Sequence, residues 1–315
     1  MTGSGPDSLS GGARAPAVSL VLPVHNGERY LREALDSILA QTFADFELIA
    51  VDDCSTDASP AILAEYAARE PRMRVLTNAA NLKLPASLNR GFAEARGRWF
   101  GWTSDDNVLR PNMLARLLEA AAAHPECDIV YSDYVLIDEH GNAVERRSVA
   151  PAEDLVLGNV VGCSFLYRAE VDRALGGYDE NLFGLEDYDF WLRAARRFRF
   201  LPLHEDLYFY RRHASSLTSA RGRQIRRMAA RLMKREIDAL PRGPRRAAAY
   251  VNLCCRDPYT LRPWLLWLAW RDDSATVRSE RDAIGRWLRY AIRLRLQYAG
   301  LALAVAPAGS AALVE

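Results

Sequence analysis

The 315-residue chain reads as an α/β protein: a mixed, mostly parallel sheet flanked by helices, Rossmann-like in its layering, with a helical appendage at the C-terminal side. Three observations carry that reading. From residue 18 to about 110, short apolar runs alternate with helix-period segments, the pattern of βαβ units around a parallel sheet. Polar and acidic clusters follow the first, second and fourth runs directly, where the loops of an open parallel sheet gather. After about residue 219 the text turns into Arg- and Ala-rich helical sequence.

Taken in order, residues 1–17 are rich in Gly, Ser, Pro and Ala with no apolar stretch, which predicts a disordered leader and no signal peptide. Strands are predicted at 18–24, 46–52, 73–77 and 99–103. A helix over 28–41 places Tyr30, Leu31, Ala34, Leu35, Ile38 and Leu39 on one stripe, and a second over 59–68 follows a Ser-Thr-Asp cap signal. The next half reads as a helix at 111–124, a strand at 129–137, a turn at Gly141-Asn142, a strand at 164–167, a helix at 188–197 and strands near Phe200 and Tyr208. The expected division is a leader 1–17, an α/β domain 18–218 with halves 18–110 and 111–218, and a helical region 219–315. That last region is broken at Pro241, Gly243 and Pro244 and is Trp-rich over 263–270.

Composition narrows the function. With 50% hydrophobic and 26% charged residues and a net charge of +1, the chain is globular and has no global field for nucleic acid. Charge is uneven, however. Between Arg211 and Arg246 stand twelve Arg or Lys against Glu236 and Asp238, either a solvated helix face or a surface for phosphate groups or an anionic membrane. Five cysteines, with no CxxC and no metal-ligand spacing, suggest a reducing compartment, so a cytoplasmic location is expected. Residues 297–314 carry no charge but are interrupted by Gly300, Pro307, Gly309 and Ser310, which disfavours a spanning helix. Peripheral contact with the inner face of the cell membrane stays open.

The chemistry is expected beyond the carboxyl ends of the strands. The first strand runs into LPVHNG, the second into VDDCSTD and the fourth into WTSDDN, which brings Asn26, Asp52, Asp53, Asp105 and Asp106 to one crevice. Four carboxylates together repel one another, and a divalent cation would neutralise part of the cluster. Oxygen-rich ligation favours magnesium or manganese. No GxGxxG follows the first strand and no GxxxxGK[ST] occurs, which argues against dinucleotide and P-loop binding. The crevice suits a nucleotide diphosphate gripped by metal and carboxylates.

The stretches SLVLPVHNGERYLREALDSILAQTF, LIAVDDCSTD, NLKLPASLNRGFAEARG, WTSDDN, GGYDENLFGLEDYDFWLR and YRRHASSLT, in this order and spacing, resemble a family 2 glycosyltransferase of the GT-A fold, over roughly residues 18–218. The resemblance implies an inverting, nucleotide-sugar-dependent transferase, with 18–110 the nucleotide-binding half and 111–218 the acceptor half. It implies that Pro23, Asn26 and Glu28 form the first nucleotide loop, that Asp52 and Asp53 face base and ribose, and that Lys83 and Ser104 also border the nucleotide. Asp105 corresponds to the metal-ligating aspartate, with Asp106 beside it and His213 approaching metal or diphosphate. Thr103 stands where the family's pattern commonly has the first aspartate, which puts the usual ribose contact in doubt. Glu186-Asp187 corresponds to the acceptor-side acidic pair, with Asp187 the catalytic base. Arg211 and Arg212 are phosphate candidates, and Trp102, Phe183 and Tyr188 a platform for a sugar ring.

Expected partners are therefore Mn2+ or Mg2+, a nucleotide-diphosphate sugar, UDP-linked by expectation, and a glycan, lipid-linked or small-molecule acceptor in cell-surface polysaccharide or glycoconjugate synthesis. The C-terminal helices are left to membrane contact or homodimerisation. The competing reading is a catalytically inactive module of the same fold that binds a sugar, a nucleotide or a partner.

Overall fold

A computed structural model describes residues 14–214, 216–257 and 259–298. The chain forms two compact units. One holds the described residues up to Leu155 together with Asn159–Gly222, and the other holds Val156–Gly158 and the described residues from Arg223 onward. Residues 1–13 of the expected leader, and all but the start of the uncharged segment 297–314, lie outside the described residues.

The first unit opens with β1 (Val18–Val24), α1 (Leu31–Leu39), β2 (Phe46–Asp52), α2 (Ser59–Arg69), β3 (Met73–Thr77), α3 (Leu84–Ala93) and β4 (Trp99–Trp102). Every residue of β1 and β2 is buried, as in strands covered on both faces. β1 lies between β2 and β4 and is parallel to both, and β3 pairs parallel outside β2. The chain thus crosses over β1 on its way from β3 to β4, and that reversal opens a crevice beyond the carboxyl ends of β1 and β4.

Two boundaries differ from expectation. α1 begins at Leu31, because Gly27 turns the chain first: its carbonyl accepts the N–H groups of Tyr30 and Leu31. α3, which the sequence reading leaves unassigned, carries a proline in its first turn, where it is tolerated, and is a helix despite a mid-helix glycine that lowers helix propensity. Gly91 is there for proximity, since a Cβ on it would stand 2.5 Å from Val21 Cγ1.

Glu47 fastens the opposite, amino-terminal end of this sheet. It is 3% exposed, accepts from Ser19 Oγ at 2.7 Å and from the Arg96 N–H at 2.8 Å, and pairs with the guanidinium groups of Arg96 and Arg74. Burial raises its carboxyl, but the bonds from Arg96 and Ser19 outweigh burial and hold it below the usual range.

The second half adds β5 (Val108–Leu109), α4 (Met113–Ala123), β6 (Ile129–Ser132), β7 (Tyr134–Ile137), β8 (Ala143–Arg147), β9 (Ser164–Arg168), α5 (Ala169–Leu175), α6 (Glu186–Ala194), β10 (Phe200–Leu203) and β11 (Tyr208–Arg211). The large sheet runs β10-β6-β9-β4-β1-β2-β3 and a small one β5-β11-β7-β8. β9 is antiparallel to β4 and β6, so its first residues, not its last, reach the crevice.

The expected single strand 129–137 is two strands in different sheets, divided at Asp133. That carboxylate is 1% exposed and accepts from the Val149 N–H at 2.9 Å and from Ser148 Oγ at 3.3 Å. Its backbone bonds to Leu203 and Leu207. A buried, satisfied carboxylate inside an apolar run is a break that periodicity does not register.

The second unit is helical: most of α7 (Leu217–Ala239), then α8 (Pro244–Cys255), α9 (Trp264–Asp272), α10 (Ser274–Ser279) and α11 (Arg281–Tyr298). Its core gathers Met233, Ile237, Tyr250, Leu253, Leu265 and Ala269. Asp272 takes Arg246 at 3.0 Å, and Asp273 caps α10 through the Thr276 N–H. Among the described residues no helix is long and apolar enough to cross a membrane.

Candidate active site

The loop leaving β1 is stitched to the loop leaving β2. Asn26 adopts a left-handed backbone, φ 55°. Its Oδ1 accepts the Thr56 N–H at 2.8 Å while its own N–H donates to Ser55 Oγ at 3.0 Å. Glu28 Oε2 accepts the Ala58 N–H at 2.9 Å, and Asp57 returns the bond from the Glu28 N–H. Asn26 and Glu28 therefore shape the crevice wall. Pro23 lies within β1 and is buried, so it is a core residue and not part of the loop, contrary to the sequence expectation.

Asp52 and Asp53 are 3% and 4% exposed. Asp52 turns the chain by accepting the Ser55 N–H at 3.1 Å. Asp53 accepts from Asn78 Nδ2 and the Leu82 N–H, both at 2.7 Å, and from the Lys83 N–H at 2.9 Å. That grip holds Lys83 at φ 74°, a strained setting for a residue with a side chain, and leaves the Lys83 side chain exposed. His25 completes the frame: Nδ1 donates to the Asp53 carbonyl at 2.9 Å and Nε2 accepts from Asn81 at 2.9 Å. The expected cluster of four crevice carboxylates is thereby reduced, because Asp52 and Asp53 are structural acceptors. Asp105 and Asp106 remain.

β4 ends in Thr103-Ser104-Asp105-Asp106. Thr103 is 2% exposed and shares a 2.6 Å bond with the Tyr208 hydroxyl, so it faces the core and offers nothing to a ligand. Ser104 is half-buried beside the acidic pair. Asp105 accepts the His25 N–H, yet burial pushes its carboxyl up to about 7, with Asp106 and then Asp57 adding to the effect. Gly27 permits this placement: a Cβ there would sit 2.1 Å from Asp105 Oδ2. Gly27→Ala should therefore displace Asp105 and weaken nucleotide binding at least tenfold, with a near-native melting temperature; isothermal titration of nucleotide diphosphate and a thermal scan read both.

Asp106 Oδ2 lies 2.9 Å from His213 Nε2, with the two side chains 19% and 10% exposed. The His213 ring packs on Tyr30 at 5.2 Å. Arg211, a phosphate candidate by sequence, is instead internal. It is 2% exposed, pairs with Glu33 at 2.6 Å, donates to the Asp106 carbonyl at 2.9 Å and lies over the Tyr30 ring. It anchors the strand that delivers His213. Arg212 is exposed and remains available.

In the second half, α6 starts with Glu186 and Asp187, where the helix N-terminus favours negative charge. Glu186 is 3% exposed, and burial, then the Asp187 charge, push it up to about 8. Burial raises Asp187 to about 6, opposed by bonds from the Tyr188 N–H at 2.6 Å and from Asn159 Nδ2 at 2.8 Å. Near neutral pH the pair therefore shares about one proton, and Asp187, the less strongly raised of the two, is half-buried. Tyr188 is 2% exposed with its hydroxyl donating to the Leu155 carbonyl. It is core and no sugar platform. Trp102 and Phe183 are half-buried, and Trp102 is oriented by its Nε1 bond to the Tyr178 hydroxyl at 3.0 Å.

Cys163 ties the two acidic groups together. Burial drives its thiol well above the usual range, and both Asp187 and Asp106 add to that shift. The two carboxylates that sequence analysis separates by function therefore act on one small region, at the start of antiparallel β9. Cys163, Asn159 and Tyr178 were not singled out by sequence; Cys163 and Asn159 lie outside the quoted motif stretches, and Tyr178 lies within GGYDENLFGLEDYDFWLR without a role assigned to it.

Two adjacent carboxylates, one unneutralised and one against a histidine, fit a divalent cation. Among the described residues no three His, Cys, Asp or Glu side chains stand together so that they could hold a metal ion by themselves. An open set of this kind leaves positions for the phosphate oxygens of a substrate.

Residues 19–176 match the family model described as glycosyl transferase family 2. The uncharacterized glycosyltransferase RP339 of Rickettsia prowazekii is 30% identical over 222 residues, 67% of this chain and 69% of the relative. The O-antigen biosynthesis protein RfbC of Myxococcus xanthus is 34% identical over 214 residues, 67% of this chain but 17% of the relative. This chain spans only 21% and 33% of two further curated relatives. Among solved structures, S. aureus TarS 1-349 in complex with UDP-GlcNAc superposes with a TM-score of 0.61 at 20% identity, over 75% of this chain and 70% of that one. The mannosyltransferase PcManGT from Pyrobaculum calidifontis, in complex with GDP-Man and Mn2+, gives 0.60 at 18% identity, over 92% and 84%. At those identities the likeness is one of fold, the GT-A fold.

Proposed function

The chain belongs to glycosyl transferase family 2, and from that premise we propose that it is an inverting, metal-assisted transferase that moves a hexose from a nucleotide-diphosphate sugar, UDP-linked, to a hydroxyl of a glycan, lipid-linked or small-molecule acceptor. One observation supports the proposal most: Asp187, half-buried at the head of α6, and Asp106, beside Asp105 at the end of β4, both act on the Cys163 thiol, which supports a base and a diphosphate site in one crevice. The loops after β1 and β2 cradle the nucleotide, with Lys83 at the rim. Asp106, His213 and Asp105 would hold a Mn2+ or Mg2+ ion, which when bound offsets charge on the leaving diphosphate.

Asp187 takes the proton of the acceptor hydroxyl as its oxygen bonds to the anomeric carbon. The bond from that carbon to the diphosphate oxygen breaks on the opposite face, and the electron pair leaves with the nucleotide diphosphate. A single displacement inverts the anomeric centre. O-antigen biosynthesis, named for the Myxococcus relative, supports a place in cell-surface polysaccharide or glycoconjugate synthesis, on the cytoplasmic side.

A panel of UDP-, GDP- and TDP-sugars, with Mn2+, Mg2+ or EDTA, tests this by binding and slow donor hydrolysis. One nucleotide sugar is expected to bind at least tenfold more tightly with metal than with EDTA and to be hydrolysed. Binding without turnover under any condition would favour the inactive module.

A further inference from the structure

From the helical unit alone, and independently of the donor chemistry, we infer that α9 and the basic surface around it form an interfacial anchor for an anionic lipid bilayer. Residues 223–298 carry 18 Arg or Lys against 7 Asp or Glu, a net +11, whereas residues 1–222 carry 23 against 32, a net −9. The chain's near-neutral total hides a strongly basic unit, and such asymmetry marks surfaces that meet polyanions.

α9 shows which polyanion. Leu265 and Ala269, four residues apart, are fully buried and define the inward face. The opposite face, where an ordinary surface helix is polar, instead carries Trp264, Trp267 and Trp270, exposed by 47%, 59% and 58%. Spaced three apart, these indoles lie on one side of the helix. Basic groups stand among them, with Lys234 5.4 Å from the Trp264 ring and Arg271 5.3 Å from the Trp267 ring. Exposed indoles flanked by cations suit the headgroup layer, where the ring buries its apolar body and keeps its N–H wet, while the cations meet lipid phosphates. A nucleic acid would engage the same charge, but a row of tryptophans on a helix is not needed for phosphate contact. A second copy of this unit would have to bring +11 against +11.

Sedimentation of the full chain with vesicles of phosphatidylcholine alone or with 30% phosphatidylglycerol tests the anchor, alongside tryptophan fluorescence with brominated lipid. The anionic vesicles should bind at least tenfold more strongly, 0.5 M NaCl should weaken binding at least fivefold, and brominated lipid should quench the emission. Trp267→Ser/Trp270→Ser should lower binding at least tenfold and remove that quenching while leaving the melting temperature within 2 °C. Equal partition to neutral and anionic vesicles, no binding to either, or an unaffected double variant overturns the inference. So does a halved mass of that variant in analytical ultracentrifugation, which would assign the tryptophans to a dimer.

Discussion

Replacing Asp187 by Asn is expected to lower kcat by about 10²–10⁴-fold, the usual worth of a positioned general base, while the Kd for the nucleotide sugar stays within about threefold. The amide is isosteric and can still accept the Tyr188 N–H bond, so the start of α6 should hold its shape. Glu186→Gln supplies the contrast. Because burial and the Asp187 charge raise Glu186 more strongly than its neighbour, its amide should cost far less, under about tenfold. The pH profile of kcat/KM should agree: Asp187, raised to about 6, must be ionised to act, so activity falls as pH drops through that region, approaching tenfold per unit below it. A flat profile from pH 7 to 5, or a Glu186→Gln variant crippled while Asp187→Asn is active, would reassign the base.

Asp105→Asn should separate binding from stability in opposite directions. Burial pushes the Asp105 carboxyl up to about 7 in the folded protein, against about 3.9 in an unfolded chain. Between those values the folded state holds a proton that the unfolded state has released, so stability is greatest below the lower value and falls as pH rises through the upper one. Removing the carboxylate should therefore raise the melting temperature at pH 8 by at least about 2–4 °C, since even a quarter of the roughly 4 kcal/mol that so large a rise is worth moves a domain of this size that far, and leave it nearly unchanged at pH 4. In exchange, the metal-dependent gain in donor affinity should vanish. Differential scanning fluorimetry with and without Mn2+ and nucleotide diphosphate reads both. A variant less stable at pH 8, or one that retains metal-dependent affinity, would remove Asp105 from the ligand set.

The first half was legible because β1 and β2 are buried on both faces and read as near-continuous apolar runs, and β3, part-exposed beyond Met73, still falls where the pattern puts it. The second half was less so. Asp133 divides an apolar run between two sheets through tertiary hydrogen bonds, and Gly91 sits in a helix for the sake of contact with Val21. Neither cause is local, so neither leaves a periodic trace. Motif matching found the acidic residues but could not rank them. Asp53 and Asp105 are both crevice aspartates by sequence, yet one is saturated by Asn78, Leu82 and Lys83 while the other is pushed up by burial and by Asp106 beside it. Arg211 and Tyr188 were drawn toward the ligand by their neighbours in sequence, although their side chains turn inward.

The proposed base at the head of α6 and the proposed diphosphate site at the end of β4 together imply one in-line displacement. The anomeric configuration of the first product, read from its proton coupling constant by NMR without isolating an intermediate, bears on that most directly. Configuration opposite to that of the donor is expected from Asp187 acting on the acceptor hydroxyl; retention would contradict it and require a second nucleophile in the crevice.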